Sequence, residues 1–191
     1  VRAPVPPILE NRETHVFAAA DRIVAMDHVR IDDVENALQP AAVMRQLTDP
    51  LGCTDMALNY YELEPGDSFA FAYHRHEVQE ELFYILSGVA TFETEDGPID
   101  VEAGEIVRFP PGEFQRGWNR GGERVTALAL GAPLEYGEQV KLRQCDVCET
   151  RTDNTLERRS DDGKSVVVAL CLECGAETGC WTEGSMPGAV P

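Results

Sequence analysis

The sequence predicts an all-β chain: a small double-sheet barrel of jelly-roll type, followed by a cysteine-bearing β-hairpin unit. Three features carry that expectation. From Asp55 to residue 132, short apolar runs alternate with turn signals at spacings of about eight to twelve residues. His74-Arg75-His76 is followed by Glu81, and strand geometry can gather these three metal-binding groups. Two Cys-x-x-Cys pairs, Cys145/Cys148 and Cys171/Cys174, stand twenty-two residues apart.

Residues 1–44 read as an N-terminal arm and first strands. Pro4, Pro6 and Pro7 open it, and the apolar Val16-Phe17-Ala18-Ala19-Ala20 reads as a short strand or turn. Residues 45–132 read as the barrel core. The predicted strands are 56–63, 69–76, 81–86, 89–93, 99–101, 106–109, 114–118 and 124–130. They are separated by turns at Glu64-Pro65-Gly66-Asp67, Ser87-Gly88, Asp96-Gly97, Ala103-Gly104, Pro110-Pro111-Gly112 and Gly121-Gly122. In 81–86, Glu81, Phe83 and Ile85 line one face, and the other face, Leu82, Tyr84 and Leu86, is apolar too. That outer face needs a cover, either the N-terminal arm or a second subunit, and a homodimer is expected. Residues 133–143 read as a linker, 144–180 as the cysteine unit and 181–191 as a tail.

Charge excludes some partners. Acidic residues outnumber basic ones 34 to 16 for a formal charge of -18, and only Lys141 and Lys164 are lysines. Such a field repels phosphate backbones and anionic membranes, so neither nucleic acid nor a membrane is expected as partner. Many carboxylates with almost no lysine resemble proteins of salt-in halophiles, for which instability in dilute buffer is the expectation; the competing reading is a merely acidic protein. Glu10, Arg12, Glu13 and Asp21 interrupt the apolar stretches near the N-terminus, and a soluble, cytoplasmic protein is expected. There the paired cysteines favour metal over disulfides. Cys53 and Cys180 read as ordinary thiols, and His15 and His28 as ordinary surface or core histidines.

Strand alternation points His74 and His76 to one side and Tyr73 and Arg75 to the other. His74, His76, Glu81 and Gly88, opened by Gly66, resemble the first motif of the cupins, and Gly104, Pro110, Gly112 and Asn119 resemble the second. The resemblance spans about residues 45 to 132. It implies a double-stranded β-helix and a metal held by His74, His76, Glu81 and the residue at the position of the family's third histidine. Gln115 stands there. A glutamine carbonyl is harder and weaker than imidazole, so Gln115 is either a fourth ligand or a substrate contact. The set suits Fe(II) or Mn(II), with Zn(II) or Ni(II) as further occupants.

Cys145, Cys148, Cys171 and Cys174 resemble a zinc ribbon, two knuckles closing on a structural Zn(II) at the base of a hairpin turning at Asp162-Gly163. Four thiolates leave no open coordination position, and the metal supplies stability that so small a unit lacks. Rubredoxin-like iron and redox-active dithiols are the alternatives. Two functions follow from these features. One is a metal-dependent enzyme of oxygenase, isomerase or decarboxylase type acting on a small organic molecule. The other is a small-ligand or metal sensor whose ribbon contacts a protein partner.

Overall fold

The structure, a computed structural model, describes residues 26–182. The arm over residues 1–25, including His15 and the expected strand at 16–20, lies outside the described residues, as does the tail from 183 onward. The strands in chain order are β1 (Val43–Gln46), β2 (Ala57–Leu63), β3 (Tyr73–His76), β4 (Glu80–Ser87), β5 (Val89–Thr94), β6 (Gly97–Glu102), β7 (Ile106–Phe109), β8 (Gln115–Trp118), β9 (Val125–Ala132), β10 (Gln139–Cys145), β11 (Thr150–Asp161), β12 (Lys164–Cys171) and β13 (Glu177–Thr182). Two sheets face each other: a five-stranded one in the order β1-β2-β9-β4-β7, and an eight-stranded one in the order β13-β12-β11-β10-β3-β8-β5-β6. The barrel is a double-stranded β-helix, and the C-terminal hairpins carry the cysteines.

Period-two alternation fills the barrel. Phe69, Phe83, Phe92 and Phe109 meet between the sheets with ring centroids 5.0 to 6.1 Å apart. Gly88 joins β4 to β5 at φ 77, and a Cβ there would meet the Arg124 carbonyl at 2.7 Å, so both backbone angle and space require glycine. The outward face of β4 stays partly open: Tyr84 is 37% and Leu86 43% exposed among the described residues.

The expected linker is a correction. From Gln139 the chain is a strand, β10, pairing antiparallel with β3 (Gln139↔His76, Lys141↔His74) on one side and with β11 on the other. Without β10, the edge of β3 that carries both histidines would be left unpaired. The cysteine unit is therefore a continuation of the barrel's own sheet. Phe71 packs edge-on against Trp181 with centroids 4.7 Å apart, in a core shared with Val167 and Ala169. Trp181 sits on β13, at the boundary where the sequence reading begins the tail.

Candidate metal centres

His74 and His76 project from β3 into the barrel, and Glu81 from the start of β4 in the facing sheet. One donor atom from each lies within 4.8 Å of the others. Hydrogen bonds set the imidazole tautomers. His74 Nδ1 lies 3.1 Å from the Ala72 carbonyl and so donates its proton there, leaving the Nε2 lone pair aimed inward. His76 Nδ1 donates to Gln79 Oε1 at 2.7 Å. The Gln79 amide cannot turn round, because its Nε2 donates to the Pro133 carbonyl at 2.6 Å.

This arrangement fits a metal. His74 Nε2 faces Glu81 Oε2 across 3.5 Å, lone pair towards lone pair, and only a proton or a cation between them relieves the repulsion. Bonds of about 2.1 Å place neighbouring donors of a tetrahedral ion about 3.4 Å apart. Burial pushes the Glu81 carboxyl upward, but a protonated His74 donating to it, positive charge at His74 and at His76, and the Gln115 N–H outweigh burial, so the group falls below its ordinary value when positive charge stands beside it. Burial pulls His76 below the ordinary imidazole value against the opposing charge of Glu81, which favours the neutral ring that a metal needs.

Gln115, on β8 opposite His74, is buried at 2% exposure. Its Nε2 donates to Glu81 Oε2 at 2.7 Å and lies 3.4 Å from His74 Nε2, while its buried Oε1 has no hydrogen-bond partner among the described residues. Turning the amide over brings the orphaned oxygen to face the same two donors, as an ion at the triad would favour. Gln139 donates from Nε2 to His76 Nε2 at 2.8 Å, so one amide N–H meets His76 and another meets Glu81.

Other titratable side chains take different places. Arg108 pairs with Glu80 at 2.5 Å on the outside of the barrel. His28 is exposed. Tyr61 lines the metal cavity, and burial, with the charge of Glu81 second, raises its hydroxyl above the ordinary phenol value, so the phenol stays protonated.

The sequence reading missed Gln79 and the cationic wall. Gln79 occupies the space of an absent side chain at Gly131, where a Cβ would fall 2.6 Å from its amide carbon. Replacing Gln79 with Leu is expected to weaken barrel-metal binding by about 10- to 100-fold, measured by competition with a chelator, and Gly131→Ala should act the same way. Unchanged affinity in both variants would remove Gln79 from the orientation of His76. Lys141 from β10 and Arg158 from β11 also line the cavity, which measures about 560 Å³ and holds the triad in its wall. That Lys141 is one of only two lysines was the signal available in the sequence.

The four cysteines form the second centre. Cys145 Sγ and Cys174 Sγ are 3.6 Å apart, Cys148 Sγ and Cys171 Sγ 3.9 Å. A zinc tetrahedron with Zn–S bonds of about 2.3 Å has edges of about 3.8 Å, whereas a disulfide needs about 2.05 Å. All four are free thiols. Each knuckle is followed by a left-handed residue, Glu149 at φ 56 and Gly175 at φ 75. The Thr152 hydroxyl, 3.1 Å from Cys171 Sγ, holds that thiol below its ordinary value and favours thiolate.

Residues 59–131 match the family model for the Cupin domain. No curated protein matches the chain. Among solved structures, a sugar phosphate isomerase from a cupin superfamily of Silicibacter pomeroyi is 21% identical, with 83% of this chain and 94% of that one covered and a TM-score of 0.50. The oxalate decarboxylase of Lactobacillus farciminis in its formate complex is 17% identical, with 59% of this chain and 34% of that one covered, also at 0.50. At such identities the likeness concerns the fold. Over residues 59–131 the chain is similar to the Cupin domain family, and its fold is a double-stranded β-helix that carries a His-His-Glu candidate metal site and continues into a four-cysteine cluster.

Proposed function

We propose that the chain is a mononuclear metal-dependent enzyme acting on a small organic anion, with a structural zinc in its four-cysteine unit. His74, His76 and Glu81 would hold an Fe(II) or Mn(II) ion, with Gln115 Oε1 as fourth donor once its amide has turned. The observation that carries this reading is the triad's place in the wall of a cavity whose rim holds Lys141 and Arg158. When bound, the ion would supply Lewis acidity at a substrate oxygen. The chain's residues do the rest. Lys141 and Arg158 receive a carboxylate or phosphate group, and the Tyr61 phenol offers a proton to a hydrogen bond within the cavity.

Two cations on one cavity are a specific signal in a chain of formal charge -18, because the surrounding field disfavours anions unless local charge reverses it. No carboxylate pairs with either group among the described residues. Burial pulls the Lys141 ammonium below its ordinary value against the charge of Asp153, so an anion that enters meets a partly desolvated cation. The sensor reading gives the cysteine unit no part in the cavity, whereas β10 and β11 supply part of its wall, and this favours the enzyme.

The test is a screen of small carboxylates, phosphate esters and neutral analogues against protein loaded with Fe(II) or Mn(II). Turnover should be confined to anions, and replacing Lys141 and Arg158 with Gln should raise KM by about tenfold or more while leaving the metal content unchanged. Turnover of neutral compounds that is indifferent to these replacements would overturn the assignment of substrate class.

A further inference from the structure

The outer face of the eight-stranded sheet carries a second cavity, of about 310 Å³, which shares no lining residue with the first. Alternation builds it from the residues that turn away from the barrel: Tyr73 on β3, Arg116 and Trp118 on β8, Glu93 on β5 and Arg151 on β11, with Arg120 and Arg143 completing the wall. β8 therefore has two roles, with Gln115 turned to the triad and Arg116 to this outer cavity.

Charge is the unusual feature. Four arginines meet one carboxylate, Glu93, in a chain where acidic residues outnumber basic ones 34 to 16. Glu93 pairs with Arg151 at 2.8 Å. Among the described residues, no carboxylate pairs with Arg116, Arg120 or Arg143. Arg116 is only 5% exposed; its guanidinium lies 3.8 Å from the centre of the Trp118 ring, and Nε and Nη2 donate to the Ala70 carbonyl and the Ser68 hydroxyl at 3.2 Å each. Arg143 donates to the Phe71 and Thr178 carbonyls. Burying cations without paired counter-ions is costly, and burial followed by the charge of Arg143 pulls Arg116 down to about 9 against the opposing charge of Glu93. The Trp118 Nε1 is buried and finds no acceptor among the described residues.

We propose that this outer cavity is a binding site for a small multivalent oxyanion, a compound bearing phosphate or carboxylate groups, held by the guanidiniums of Arg116, Arg120 and Arg151. Such an ion supplies the missing negative charge and the acceptor oxygens, and guanidinium geometry suits both groups. The net charge of the chain disfavours an extended polyanion such as nucleic acid but leaves a small ion free to enter. The site stands independently of the proposed enzyme chemistry, since β3 and β8 separate the two cavities.

The full chain would be titrated with pyrophosphate and with citrate at fixed ionic strength, followed by calorimetry and by tryptophan fluorescence. One or both ions should bind saturably and perturb the fluorescence, the preferred ion identifying phosphate or carboxylate as the group recognised. Trp118→Phe should abolish the optical change. The double variant Arg120→Gln/Arg151→Gln, at residues more exposed than Arg116, should weaken that binding at least about tenfold. Lys141→Gln, in the other cavity, should leave the fluorescence-detected affinity within about twofold. Absence of saturable binding, affinity unchanged in the double variant, or loss of the Trp118 response in Lys141→Gln would each overturn the proposal.

Discussion

Replacing His74 and His76 together with Ala is expected to remove one of two metal equivalents from the purified chain and leave the other. The two centres share no ligand: the triad is nitrogen and carboxylate in the barrel, and the cluster is four thiols in the hairpins. Losing both imidazoles removes two donors and strands Glu81, whose lowered carboxyl pKa depends on the neighbouring imidazoles. The loss of affinity should exceed the roughly 10- to 100-fold expected from an outer partner such as Gln79. Folding should survive, because the phenylalanine core between the sheets contains neither histidine. Elemental analysis of protein prepared without chelator reads the result, and circular dichroism checks the fold. A variant that retains both equivalents would remove the barrel site from consideration. Glu81→Gln is the milder probe: it keeps shape but replaces the anionic donor with a neutral one, so a divalent ion should bind more weakly than in the parent while the four-thiol equivalent stays in place.

The legible parts of this molecule are those where one local rule acts alone. Strand alternation put His74 and His76 on one face, and the motif resemblance named Glu81, while the structure turns the adjacent Glu80 outward to Arg108. The two-residue turn at Asp162-Gly163, with φ of 46 and 79, followed from its dipeptide. Residues 69–72 were harder. Their alternation reads as strand, but the carbonyls a ladder would use are taken by side chains: Ala70 by Arg116, Phe71 by Arg143 and Ala72 by His74. Two of these bonds come from residues 46 and 72 positions away, and no local pattern encodes them. The same limit hid β10. Val140 and Leu142 alternate with Lys141 and Arg143 as a strand should, but the segment is short and follows a proline-containing turn, and its identity as a strand depends on β3 having an edge to offer. Gln79 was invisible for a related reason. Its role arises from a loop, a glycine on β9 and a carbonyl 54 residues away.

Because the cysteine unit shares the barrel's sheet, replacing Cys174 with Ser is expected to damage the cavity as well as the knuckle. The physical chain is short. Loss of one thiolate opens the tetrahedron, and structural zinc in small units contributes on the order of 10–16 kcal/mol of folding free energy. That is as large as the whole stability of many domains, about 5–15 kcal/mol, so β11 to β13 should lose their packing. Trp181 then leaves Phe71, and Arg143 loses the Thr178 carbonyl that receives two of its N–H groups. β11 supplies Arg158 and Leu156 to the cavity, and β10 supplies Lys141 and the Gln139 amide beside His76. The barrel ion should persist, since none of its donors lies in the hairpins, while affinity for an anionic substrate falls by about tenfold or more through loss of the cationic wall. Hydrogen exchange across 139–182, read beside metal content and substrate affinity, separates these effects. Full protection of 139–182 after loss of the thiolate-bound ion would show that the sheet holds itself, and the cluster would then be a redox or reactive thiol centre instead of a staple. Thiol titration tells these apart: in the parent chain the four cysteines should stay unreactive until a chelator is added, while Cys180, exposed and outside the cluster, reacts at once.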